Sequence, residues 1–214
     1  GKKVGEHTGG YTACTFDITP FCSLNTPNSL AVCVDNSRQD IPPISGDFTF
    51  FGGIYRDVWL TAVSKQHFHL TNYGSEGIFI STPKVSEEKG TILIRGDIKN
   101  DATQKALLEL EHIIYHPNGS IAQSLKQSIQ IKAGEQYSFR SETSPILSPQ
   151  LWTPETPHLY RVESILRDKK TKTVLDQSNH YTGFRWFSFD GERGFSLNGK
   201  PYKLRGICRH QDQK

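Results

Sequence analysis

An all-β chain is predicted by three features of this 214-residue sequence. Short apolar–polar alternations of period two recur along its length. Pairs rich in Gly, Pro, Asn and Asp fall between them and supply the turns. Hydrophobic residues make up only 35% and mean hydropathy is -0.52, the dilution expected of sheets with one wet face. There is no internal repeat, low-complexity tract or amphipathic helix pattern. The length allows one large domain or two ordinary ones with a sizeable core.

Residues 11 to 35 open the pattern. "YTACTFDI" and "SLAVCVDN" each carry apolar residues on one face, with "TPFCSLNTPN" turning between them, so two sandwich strands are expected. In "RQDIPPISGDFTFFGGIYRDVWLTAV" two prolines and a Gly-Asp pair interrupt the chain, which reads as a held loop that becomes a strand from Ile54 to Val63. Close backbone packing is expected around Gly52 and Gly53.

From Gln66 to Arg185 short strands follow in "HFHLTNY", "TILIRGDIKND", "KALLELEHIIYHPNGS", "QSIQIKAGEQYSFRSE" and "LYRVESILRDKKTKTVLDQSNHYTGFRWF". Asn118-Gly119 marks a hairpin. The Ala, Leu and Glu of "ALLELEHII" favour helix, yet Leu108, Leu110 and His112 alternate strictly with Glu109 and Glu111 and lead into β-branched Ile113 and Ile114, which selects strand. Roughly seven strands over about 120 residues fit an immunoglobulin-like sandwich. "SPQLWTPETPHLY" has three prolines and cannot form a regular ladder, so it reads as a covered edge or crossover. Asp190-Gly191 and Asn198-Gly199 then mark tight turns of a small β-ribbon that leads to a last strand, Tyr202 to Ile207.

The formal charge is +3, with 25 basic and 22 acidic side chains scattered rather than blocked, which implies no nucleic-acid partner. No stretch reaches the roughly 20 apolar residues of a membrane helix, and "GKKVGEHTGG" lacks the apolar core of a signal peptide. A soluble, bacterial-type protein of cytoplasm or periplasm is expected, with no marker of which. The initial Gly and the absence of Met suggest that the first residue here is not the gene's first. Cys14, Cys22, Cys33 and Cys208 have no metal-ligand spacing and read as small buried hydrophobes or free thiols rather than disulfide halves.

Phosphate-cradling loops, zinc-hydrolase helices and the elbow serine of acyl hydrolases have no matching motif. Glycoside cleavage needs two carboxylates roughly 5–10 Å apart, but the acids at 87–88, 109–111 and 190–192 fall in turns or on wet faces and read as solvated surface. Asp47, in "PPISGDFTFFGG", is either a turn cap or a ligand contact. "RGICRHQD" concentrates Arg205, Arg209, His210, Gln211 and Asp212 after an alternating strand, as an ionic loop or as the rim of a site.

These residues resemble the glycoside hydrolases of family 2, which include β-galactosidases, β-glucuronidases and β-mannosidases. "GDFTFFGGIYRDVWL" is similar to the end of that family's galactose-binding-like jelly roll, "LWTPETPHLY" to a late element of its immunoglobulin-like domain, and "LNGKPYKLRGICRHQD" to the opening of its (β/α)8 barrel. The resemblance implies the C-terminal part of a sugar-binding jelly roll over 1–63, an immunoglobulin-like sandwich over 64–185 and the opening segment of a truncated catalytic barrel over 186–214. It implies a retaining O-glycosyl hydrolase as parent protein, whose two catalytic glutamates lie on later barrel strands, so that no residue here is catalytic.

By the same likeness, Asp47 reaches toward the sugar and in β-galactosidases helps to hold sodium. His210 lies near the glycone, and Asp212 contacts sugar hydroxyls in glucuronidase-like members. No cofactor is implied within the fragment, and a sodium or magnesium ion is implied for the parent enzyme. Where the family motif reads Arg-Gly-x-Asn-Arg-His-Glu-Asp, Cys208 replaces Asn and Gln211 replaces Glu, removing an amide and a charge. The expected substrate is a β-linked oligosaccharide or glycoside, a β-galactoside first, with β-glucuronide and β-mannoside as the other options.

An inactive non-catalytic front of such an enzyme is therefore expected. The alternative is a free-standing carbohydrate-binding or adhesion module, since sandwiches serve both roles, and a structural spacer is the blandest reading. Unpaired edges of a partial jelly roll predict association with a second copy, and a homo-oligomer.

Overall fold

A computed structural model of the chain describes residues 1–23, 25–37, 52–71 and 74–208. Two units emerge from its contacts: Gly1–Ala62 with Tyr73–Ser75 and Arg205–Lys214, and Val63–Asn72 with Glu76–Leu204.

The second unit is a two-sheet β-sandwich followed by a ribbon. One sheet is built on β3 (Lys89–Asn100), whose apolar run TILI is buried from both faces. On one edge β3 pairs with β1 (Gln66–Phe68) through Ile98 to Asn100 and with β2 (Ile78–Val85) through Gly90 to Gly96. On the other edge it pairs with β6 (Gln136–Glu142) through Leu93 to Lys99 and with β7 (Ile146–Leu147) at Lys89 and Gly90. All four pairings are antiparallel. The second sheet has β4 (Ala106–Tyr115) and β8 (Tyr160–Asp168) at its centre, flanked by β5 (Ile121–Ile131) and β9 (Val174–Thr182), in the order β5-β4-β8-β9. The helix-favouring β4 is a strand because antiparallel partners cover both its edges and its alternation buries Leu108, Leu110, His112 and Ile114, a case of tertiary pairing overriding local propensity.

The core lies between the sheets. Phe68, Ile92, Ile94, Ile98 and Phe139 meet Leu108, Leu110, Ile129, Val162 and Leu166, all buried. Tyr160 packs edge-on to Phe184 with centroids 4.8 Å apart. Asn100 is fully buried and satisfied: its Nδ2 donates to the carbonyls of Gln104, Ile131 and Lys132, and its Oδ1 accepts from Gln66 Nε2. The Asn118-Gly119 hairpin forms as expected between β4 and β5, with Gly119 at φ 87. Ile78–Val85 was not among the strands expected, because Pro83 forbids a regular ladder; a register shift between Ser81 and Lys84 takes the proline out of the pairing.

After the sandwich, β10 (Phe187–Asp190), β11 (Gly194–Leu197) and β12 (Lys200–Pro201) form the expected ribbon. The last strand expected over Tyr202 to Ile207 does not form, since β12 stops at Pro201 and no ladder partner follows among the described residues.

The first unit differs from expectation as well. Among its described residues Thr19–Phe21 form a 3₁₀ turn, and the strands expected over 11–18, 29–36 and 54–63 are absent. Alternation gives a segment the capacity to pair, but a strand exists only where a neighbour takes up its N–H and C=O groups. Here Leu30, Val32, Val58 and Leu60 stay exposed, as does Trp59 at 81%. The expected turn is present: Asn28 accepts from Ser23 N–H and donates back to the carbonyls of Ser23 and Thr26. Close packing holds at Gly52, where an added Cβ would lie 2.8 Å from the Asn36 amide, while Gly53 is open and sits at φ 83. All four cysteines are free thiols and exposed, not buried, because the faces that would have covered them do not form.

Candidate functional site

The sugar-facing candidates Asp47, His210 and Asp212, with Arg209 and Gln211, lie outside the described residues, as does the sodium reading of Asp47. Among the described residues no group of three or more His, Cys, Asp or Glu side chains could hold a metal ion, and no helix is long and apolar enough to cross a membrane. Glu87, Glu88, Asp190 and Glu192 are exposed, as expected of solvated surface. Glu111 is not: it is buried, with Lys126 Nζ at 3.1 Å and Arg167 at 3.9 Å, and it accepts from the Ser124 hydroxyl. Its neighbour Glu109 is held below the usual carboxylate range by Lys172, whose ammonium lies 2.9 Å away. Both acids serve the outer face of the four-stranded sheet.

The structure brings together two segments that the sequence shows only separately, "LWTPETPHLY" and "SLNGKPY". Leu151 bridges Phe184 and Trp152 bridges Pro157, and the Trp152 N–H donates to the Phe184 carbonyl at 2.8 Å. Gly183 lets this approach happen, since a Cβ there would sit 2.7 Å from Trp152 Cβ. The Arg185 guanidinium covers the Trp152 ring at 4.5 Å, a cation–π contact. The Trp152 carbonyl is thereby held in place at the mouth of the ribbon.

Asn198 meets it. This residue takes a left-handed φ of 51°, a conformation Asn tolerates better than most, and is only 7% exposed. Its Nδ2 donates to the Trp152 carbonyl at 3.0 Å, while its Oδ1 accepts from the Trp186 N–H at 3.1 Å. Its own N–H donates to the Trp186 carbonyl at 2.9 Å. One residue on, past β12, the Tyr202 hydroxyl donates to Glu155 Oε1 at 3.1 Å. A backbone N–H and the Tyr202 and Thr153 hydroxyls keep the Glu155 carboxyl below its ordinary range. The ribbon is thus tied to the proline-rich crossover by three side chains.

Beside this junction lies a shallow groove of about 520 Å³, lined by Ile80, Thr82, Trp152, Tyr181, Arg185 and Phe187. Phe187, Phe189, Phe195 and Tyr202 form a ring cluster on the ribbon with neighbouring centroids 5.1 to 6.3 Å apart. The sequence marks Asn198 only as a turn residue. Its second role rests on a partner 46 positions earlier, and the one available hint is that both segments carry the same family resemblance.

The sequence profile of the "Glycosyl hydrolases family 2" matches residues 76–185. A β-glucuronidase of Bacteroides fragilis is 34% identical over 99% of the chain, which covers 30% of that relative. The β-galactosidase BoGH2A of Bacteroides ovatus is 30% identical over 99% of the chain, covering 24% of its length. Among solved structures, Bacteroides uniformis β-glucuronidase 2, covalently bound to cyclophellitol-6-carboxylate aziridine, is 73% identical with a TM-score of 0.97 and takes in 100% of this chain and 26% of its own. The chain therefore spans between a quarter and a third of the proteins it is similar to.

Proposed function

We propose, from the premise that the chain belongs to the glycosyl hydrolases family 2, that it is the non-catalytic front of a retaining β-glucuronidase. The observation that carries the sugar is the 73% identity to Bacteroides uniformis β-glucuronidase 2, a protein captured with a carboxylate-bearing cyclophellitol aziridine. Identity at that level over the whole chain outweighs the motif likeness that puts β-galactosides first. The β-galactoside reading keeps support from the 30% identity to BoGH2A.

In this reading residues 1–63 contribute the end of a sugar-binding jelly roll, 64–185 hold the immunoglobulin-like sandwich as a spacer, and 186–214 open the catalytic barrel. Asp47, His210 and Asp212 bind the glycone. Protonation of the leaving oxygen and the covalent glycosyl step belong to two carboxylates in later sequence, so the 214 residues alone do not turn over substrate.

The test compares the purified 214-residue chain with the full-length protein on chromogenic β-glucuronide and β-galactoside. The full-length protein is expected to favour the glucuronide by roughly 100-fold or more in kcat/KM, since a site built to pair a carboxylate leaves its polar groups unmatched by the neutral sugar. The isolated chain is expected to be silent. Turnover that tracks the isolated chain would overturn the non-catalytic assignment, and preference for the galactoside would restore that sugar.

A further inference from the structure

We infer that Asn198 is a positioning residue for sugar binding: its carboxamide locks the ribbon that leads toward His210 and Asp212 onto the sandwich, and so sets the glycone affinity. The inference rests on the proposed glycosidase reading and extends it to a residue outside the sugar contacts.

The geometry points to Asn198 rather than its neighbours for three reasons. It is buried, and its carboxamide uses both ends, Nδ2 toward Trp152 and Oδ1 toward Trp186. The acceptor it reaches is itself fixed, by the Trp152–Phe184 backbone bond, the contact over Gly183 and the Arg185 stack. Its φ of 51° fits the tight turn, so side chain and backbone serve the same register. No other side chain of the ribbon bonds to the crossover from a buried position; Tyr202 does so through exposed Glu155. A sandwich that only needed a turn here would be served by Gly, which reaches the same φ at less cost. The carboxamide is what couples the ribbon to the sandwich.

The expected consequence is selective. Substituting Asn198→Gly keeps the backbone conformation and deletes both side-chain bonds. Moving binding groups without touching the catalytic carboxylates removes uniform binding, which raises KM and leaves kcat in place. Two lost hydrogen bonds correspond to about a tenfold rise in KM for the aryl glycoside, with kcat within about twofold. Asn198→Asp keeps the acceptor for Trp186 but offers no donor to Trp152, and is expected to fall between Gly and wild type, at about threefold.

The experiment uses the full-length protein, with KM, kcat and melting temperature measured for wild type, both Asn198 variants, Tyr202→Phe, and Thr143→Val as a destabilised control away from the ribbon. A graded KM rise in the Asn198 series, with KM unchanged in Thr143→Val, supports the inference. Unchanged KM in Asn198→Gly, or an equal KM rise in the control, overturns it. If the Asn198 variants do not fold, Tyr202→Phe decides: it removes only a surface bond and is expected to raise KM about twofold, so an unchanged KM sinks the idea. A wild-type protein that hydrolyses neither aryl glycoside fails the glycosidase reading itself, a result distinct from an active enzyme indifferent to Asn198.

Discussion

His112 stands on the inner face of β4 with its Nδ1 2.8 Å from the Ser164 hydroxyl, its ring 5.4 Å from that of Phe139, and no hydrogen-bond partner at Nε2. Burial lowers its pKa to about 4. The unfolded chain takes up a proton near pH 6.5 that the folded one refuses until about pH 4, so stability is full above the unfolded value and falls as pH drops through this window. The loss approaches about 3 kcal/mol at its lower end. Urea unfolding at several pH values is expected to show this slope, and His112→Gln to flatten it; an equal slope in the variant would assign it to other groups. Gly96 makes a second case. A Cβ there would meet the Gly77 carbonyl and lie 2.7 Å from the Phe139 ring, so Gly96→Ala is expected to lower the urea midpoint by the equivalent of about 2 kcal/mol. At this scale the sequence is half legible. Alternation puts His112 inward correctly, but the serine that receives it lies 52 residues on, which no local pattern marks.

At the scale of elements, Thr143 shows how a sheet edge is repaired. It follows β6, where regular pairing ends, and its hydroxyl accepts the Ile92 N–H at 2.9 Å while its own N–H donates to the Ile92 carbonyl at 3.0 Å. Thr143→Val preserves shape and leaves a buried N–H unpaired, a cost of about 1–3 kcal/mol. Chemical denaturation checks it, and a variant within experimental error of wild type would show that another acceptor takes over. Legibility here followed a clear rule. Where a strand owed its place to alternation plus a nearby turn pair, as β4 and β5 around Asn118-Gly119, the sequence announced it. Where it depended on a local exception, as with Pro83 in β2, it did not. In residues 11–18, 29–36 and 54–63 the pattern is present without the ladder, because periodicity states a face and cannot state a partner.

For the whole molecule, the first unit leaves Leu30, Val32, Val58, Trp59 and Leu60 uncovered, more apolar surface than a monomer in water usually shows. The isolated chain is expected to bind a hydrophobic dye and to sediment faster than a 24.1 kDa monomer. A concentration-independent monomer without dye binding would contradict this. The family was legible from three ordered motifs. The site was legible only as names, since Asp47, His210 and Asp212 fall outside the described residues and the junction that leads toward two of them is long-range. One more consequence concerns time rather than space. Both edges of β3 are shared between strands from opposite sides of the sequence, β1 and β2 before it, β6 and β7 after it. During synthesis the β2–β3 hairpin can close early, but the other edge waits until residue 147 has left the ribosome. Until then a twelve-residue strand rich in isoleucine is half-paired, and this interval is when a chaperone has most to protect.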